Sequence, residues 1–106
     1  MRYRVPKREF EFVLREVMNI EQLTQHPGYE EVTWEMLQMI TDQVAEIAED
    51  IWLPSNQIGD QIGAKFKEGE VTLPPEFHDA INAIRDTGLV TLFAHQEYGG
   101  MGFPTA

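Results

Sequence analysis

Thr33-Trp34-Glu35-Met36-Leu37-Gln38-Met39-Ile40-Thr41-Asp42-Gln43-Val44-Ala45-Glu46-Ile47-Ala48-Glu49-Asp50-Ile51-Trp52-Leu53 is the stretch on which the reading of this chain turns. Its apolar line runs through Trp34, Leu37, Ile40, Val44, Ile47, Ala48, Ile51 and Trp52. Steps of three and four put these residues on one stripe of a helix about five turns long. Glu35, Asp42, Glu46, Glu49 and Asp50 crowd the other faces. Thr33 is the expected N-cap, because its hydroxyl can accept a first-turn N–H, and Glu35 suits the positive end of the helix dipole. Pro54 offers no N–H and its ring clashes with the preceding turn, so it ends or kinks the helix. A shorter helix can resume across Ser55-Asn56-Gln57-Ile58-Gly59-Asp60.

Upstream, Phe10, Val13, Leu14, Val17 and Met18 build one apolar face of a first helix over residues 8–18, and Glu9, Glu11, Arg15 and Glu16 fill the other. A helix that short is marginal alone and must dock on something. Thr24-Gln25-His26-Pro27-Gly28 breaks the pattern with a Pro-Gly turn. Downstream, Ala64-Lys65-Phe66-Lys67 and Glu70-Val71-Thr72-Leu73 flank Glu68-Gly69, the signature of a small hairpin or irregular connector. Pro74-Pro75 opens a third helix, with Pro75 in its first turn. Its buried face is read as Phe77, Ala80, Ile81, Ile84 and the stem of Arg85, and Gly88 as its C-terminal cap. Periodicity does not assign Leu89-Val90-Thr91-Leu92-Phe93, which fits a buried turn of helix or a brief extended segment. The expected fold is all-α: a small bundle of three to four helices with one short hairpin or irregular connector. Residues 1–32 read as an extension carrying a short helix, and residues 33–106 as the main helical domain.

Composition narrows the function classes. The 106 residues are 42% hydrophobic, enough for a core and against wholesale disorder. A chain of this size is expected to bury about two thirds of its unfolded surface. There is no cysteine, so disulfides, thiolate metal sites and cysteine nucleophiles are excluded. The longest uncharged stretch, Thr87 to Gln96, is far short of the ~20 apolar residues of a membrane span. The basic start is followed by an acidic stretch and not by an apolar one, which is not a secretory signal. A cytoplasmic location fits. Net charge is −10, unevenly spread: residues 1–8 carry four basic groups and no acid, leaving all 18 acids to the rest. Such a body repels phosphate backbones, which disfavours nucleic acid as a partner. The basic tip can bind an anionic surface, and the favoured reading is a solvated arm folded against the acidic body.

Candidate chemistry is sparse. Glu46, Glu49 and Asp50 can be imagined as general bases, but they read as a solvated face without the burial that raises a carboxyl pKa. His26, His78 and His95 lie on different elements, and no His-x-x-x-His pair exists. His78 and Asp79 are adjacent on a helix and point apart, so no metal site is expected. Gly99-Gly100-Met101-Gly102 can cradle a phosphate only at the start of a helix and lacks dinucleotide-binding spacing, so it reads as a turn needing positive φ. Met18, Met36, Met39 and Met101 with Trp34 and Trp52 can line an acyl pocket, although core or interface packing is the favoured reading.

Several stretches in series resemble the acyl-CoA dehydrogenases, flavoproteins that oxidise acyl-CoA thioesters. They are Tyr3, Pro6 and Phe12-Val13-Leu14-Arg15-Glu16-Val17; Pro27-Gly28-Tyr29-Glu30; Ile51-Trp52-Leu53-Pro54-Ser55-Asn56-Gln57-Ile58-Gly59-Asp60; Pro74-Pro75-Glu76-Phe77; and Gly88 followed by Glu97-Tyr98-Gly99-Gly100-Met101-Gly102. The likeness is to the amino-terminal helical domain, in the long subgroup that includes the 3-methylmercaptopropionyl-CoA dehydrogenases. The loop Glu97, Tyr98, Gly99, Gly100 and Gly102 is its most specific piece, and Gln96 stands where the family usually has Pro. The resemblance implies a parent enzyme that binds FAD and acyl-CoA, introduces an α,β double bond and passes electrons to an electron-transfer flavoprotein. In that family a central β-domain holds most flavin contacts and a carboxyl-terminal helical domain supplies the glutamate base. The resemblance thus implies no catalytic, cofactor-binding or metal residue in this chain and no FAD bound to it. The ending at Thr105-Ala106, directly after a glycine loop, reads as a truncation, and the apolar helix face left bare implies a homo-oligomer. The alternative is a free-standing helical module that binds a partner helix or dimerises through the same stripe.

Overall fold

The computed structural model describes residues 2–105; position 1, which opens the first expected span, and position 106, which closes the second, lie outside the described residues. Thr33 caps α2 (Trp34–Ile47), its hydroxyl accepting the Met36 N–H at 3.3 Å. A π-helical segment, Ala48–Trp52, follows without a break, and α3 (Leu53–Ile62) continues from it. The helix therefore does not end at Pro54. The Leu53 N–H donates five residues back, to the Ala48 carbonyl, so the turn is widened immediately before the proline. In a regular α-helix the Pro54 ring would clash with the Asp50 carbonyl, and the wider turn relieves that clash. Ser55, buried just beyond, donates its hydroxyl to the Trp52 carbonyl at 2.8 Å.

The amino-terminal helix forms where periodicity puts it, but not as regular α-helix. α1 (Lys7–Glu11) passes directly into a π-helical stretch, Phe12–Val17. Its expected buried face is largely uncovered: Phe10, Val13, Val17 and Met18 are exposed and only Leu14 is half-buried. The π stretch changes the angular step per residue, so a face laid out at 3.6 residues per turn no longer points one way. Asn19, with φ 50°, turns the chain into a 3-10 helix, Ile20–Gln25.

Past α3, β1 (Lys65–Lys67) pairs antiparallel with β2 (Glu70–Thr72), Phe66 opposite Val71. The two turn residues, Glu68 and Gly69, both have positive φ, the arrangement whose twist matches a two-residue hairpin. Phe66 is 76% exposed and Val71 opposite it is exposed too, so this cross-strand pair is not packed against another element among the described residues. α4 (Pro75–Asp86) starts at the expected proline and ends at Thr87, with Gly88 in the left-handed region behind it. Ala80 is buried and Phe77 and Ile84 are half-buried, but Ile81 is 61% exposed, against expectation. Glu76 Oε2, in the first turn of α4, is buried without a hydrogen-bond partner among the described residues. Two short 3-10 turns, Leu89–Thr91 and Gln96–Tyr98, complete the chain.

The result is a helical bundle spread into a slab of 56 × 38 × 17 Å. Its radius of gyration is 17.4 Å, against about 13 Å for a compact domain of this length. Among the described residues the buried apolar ones are few: Ile20, Val32, Ala45, Ile47, Pro74 and Ala80. The chain exposes 8152 Å², about 2,000 Å² more than a compact monomer of its mass. It thus buries roughly 54% of the unfolded surface instead of two thirds. The helices pair along their edges and leave broad apolar faces open.

Candidate functional site

The glycine loop is built by the segment before it. His95 is extended and its Nδ1 accepts the Glu97 N–H at 3.1 Å, starting the Gln96–Tyr98 turn. Gly99 then reverses direction at φ 85°. A side chain on Gly100 would collide with the Ala94 backbone carbonyl, so only glycine fits there. The loop folds back on residues 91–96: the N–H groups of Gly99, Gly100, Met101 and Gly102 donate to the carbonyls of Gln96, His95, Thr91 and Ala94. All four donors are used internally, and none of them is left to face a phosphate. Phe103 closes the structure by donating to Leu92 at 3.0 Å. Of the motif residues, Tyr98 projects furthest, 81% exposed with its ring edge-on to His95 at 6.4 Å.

Beside this loop, three of the four methionines singled out above come together. Met36 and Met39 from α2 meet Met101 from the loop, with Ile40 and Leu89, around a groove of about 520 Å³. Met18 lies elsewhere, exposed at the end of the amino-terminal π stretch. Trp34 carries the Arg15 guanidinium 4.8 Å above its ring, and Trp52 donates its indole N–H to the Ala80 carbonyl at 2.9 Å. These tryptophans act as packing and bridging groups and do not line that groove.

Polar candidates separate as well. His26, His78 and His95 are exposed on three different elements, and among the described residues no three His, Asp or Glu side chains converge on a metal-sized point. Glu46 and Asp50 are exposed, but Glu49 is not on a solvated face: its side chain is 16% exposed. The Val5 N–H donates to Glu49 Oε1 at 2.7 Å and Arg4 Nη1 lies 3.3 Å from Oε2. The backbone donor first, then the Arg4 charge, hold the Glu49 carboxyl below its ordinary range. Arg2 pairs with Asp50 and Lys7 with Asp42, each at 3.2 Å. The basic arm therefore lies on the acidic helix, as its charge pattern suggests. Which acids receive it was not legible from the charges alone, because no sequence spacing links residues 2–7 to residues 42–50. Arg15 bridges Glu21 at 2.7 Å and Glu11 at 3.1 Å, and the Glu21 hydrogen bond first, then that of Glu11, raises its pKa.

Among the described residues, no helix is long and apolar enough to cross a membrane. No protein-family model matches the chain. The chain is 27% identical over 104 residues to the 3-methylmercaptopropionyl-CoA dehydrogenase of Ruegeria pomeroyi, a match covering 98% of this chain and 18% of that protein. The chain is thus similar, along nearly all of its length, to under a fifth of an acyl-CoA dehydrogenase.

Proposed function

We propose that this chain is the amino-terminal helical portion of an acyl-CoA dehydrogenase, with residues 1–32 as its extension and 33–106 as the helical domain. The observation that carries this reading is the similarity to a dehydrogenase running through 104 residues in order. The slab shape agrees with it: a surface about 2,000 Å² in excess suits one layer of a larger assembly. The parent would hold FAD, oxidise an acyl-CoA thioester between Cα and Cβ, and hand electrons to an electron-transfer flavoprotein in the cytoplasm. The helical portion itself contributes neither base nor flavin contacts. Its part is to form one wall of the bundle and to buttress the substrate channel, with Glu97, Tyr98, Gly99, Gly100 and Gly102 shaping the passage toward the flavin domain.

The test is a flavin titration of the 106-residue chain beside the full product of its source gene. The full product is expected to purify with FAD and to reduce a dye when given an acyl-CoA; the chain alone leaves FAD fluorescence unchanged. Stoichiometric FAD binding by the chain alone, or a stop codon directly after Ala106, overturns the reading. Alone, the chain is expected to dimerise through its bare apolar faces. Sedimentation at high micromolar concentration checks this, and a strict monomer would count against it.

A further inference from the structure

Residues Arg2 to Lys7 run antiparallel along the long helix. Their partners fall in reverse order: Asp50 for Arg2, Glu49 for Arg4 and the Val5 N–H, Asp42 for Lys7. Little apolar contact supports the arm, since Val5 is half-buried and Tyr3 is exposed. Below the arm, a cleft of about 260 Å³ lined by Lys7, Arg8 and Glu11 on one side and Trp34, Gln38 and Asp42 on the other separates α1 from α2. The far end of this amino-terminal segment is anchored differently. Beyond the left-handed Asn19, Ile20 is buried, and so is Val32. The amino-terminal segment is thus held by apolar burial at one end, by the Arg15 guanidinium over the Trp34 ring in its middle and by ion pairs at the other end.

We propose that residues 2–7 are an electrostatic strap that holds segment 7–17 against the long helix and opens when salt screens it. Opening swings that segment about the Met18-Asn19 bend, frees Asp42 and Asp50 of their cationic partners and uncovers Glu49. The physical basis is that the two flanking pairs, Arg2–Asp50 and Lys7–Asp42, are exposed at both partners and individually weak, and that screening shortens the reach of such charges to a few ångströms at molar salt. An arm fixed by apolar packing would instead keep its protection as salt rises.

Limited tryptic digestion of the 106-residue chain, read by mass spectrometry, tests this. Cleavage after Arg4 and Lys7 is scored against cleavage after Lys67 in the exposed hairpin, which corrects for the effect of salt on trypsin. Between 50 mM and 1 M NaCl the ratio is expected to rise about tenfold as the two exposed pairs are lost and the Arg4–Glu49 pair is weakened. The double variant Asp42→Asn, Glu49→Gln is expected to show the high-salt ratio already at 50 mM. A wild-type ratio that moves less than about twofold with salt, or an arm cut as fast as the hairpin at 50 mM, overturns the strap. The wild-type titration decides alone if the double variant loses its helical circular dichroism.

Discussion

At the joint of α2, α3 and α4, Ile47 and Ala80 are buried, the Phe77 ring lies against Gly59, and Trp52 donates to the Ala80 carbonyl. In the amino-terminal wing, residues 2–17, no side chain is buried, and the links to the rest are largely ion pairs at exposed positions, Arg2–Asp50, Lys7–Asp42 and Arg15–Glu21. Both regions carry amphipathic helix. They differ in what faces them: the joint opposes small residues to large ones, so backbones approach and side chains interlock. The wing opposes charge to charge across a cleft, and its apolar residues turn outward. An apolar stripe therefore does not by itself make a core, because burial needs a complementary face at the right distance.

The sharpest break of this contrast is Gly59→Leu. The new side chain must displace the Phe77 ring, and a loss of about 2–3 kcal/mol is expected in urea unfolding. A change under about 0.5 kcal/mol would mean the close approach does not hold the joint. Next comes a matched pair of isoleucines. Ile47→Ala, at 8% exposure, should cost about 2 kcal/mol. Ile81→Ala, on the open face of α4, should cost under about 0.5 kcal/mol in this chain. Equal losses would show that the open face is covered after all, and a larger Ile81 effect in a longer form of the protein would identify it as an interface. Trp52→Phe removes the indole donor and should cost about 1 kcal/mol.

Smaller effects belong to the wing. Phe10→Ser with Val17→Ser should shift stability by less than about 0.5 kcal/mol per site while weakening self-association, which sedimentation would detect. The last effect is a pH dependence. The Glu49 carboxyl is held below its ordinary value by the Val5 N–H and by Arg4, with Lys7 also favouring the charge. Its stabilising contribution is therefore complete above the ordinary carboxylate pKa, about 4.3. It is lost as pH falls through the lower folded value. Glu49→Gln should accordingly melt below wild type at pH 7, and the two melting curves should converge as the medium is made more acid than that range. A gap that persists unchanged into acid would assign the difference to packing rather than to charge.

Much of the element order was legible because local rules decide it. Thr33 accepts the Met36 N–H whatever lies around it, Pro75 fits a first helical turn, and Gly88 and Gly69 take positive φ where turns demand it. The glycine loop could be located by its residues, but its closure on Thr91, Leu92 and Ala94 depends on where the preceding turn leaves those carbonyls. The clustering of Met36, Met39 and Met101 was likewise beyond any spacing argument, since it joins a helix to a loop more than sixty positions away.

By itself, then, the sequence determined the helical class, the caps, a turn at Glu68-Gly69 that a hairpin or an irregular connector would equally satisfy, and the acidic body against which a basic arm could lie. Those features follow from dihedral preferences, hydrophobic period and net charge, all readable within a few residues. Only the tertiary structure decided that the helix runs through Pro54 on a widened turn, that Ile81 and the Phe10 face stay open, and that Glu49 is the acid the arm covers. Each of these depends on which surface meets which across a gap of ångströms, and an apolar period states that a face wants covering without stating whether this chain supplies the cover.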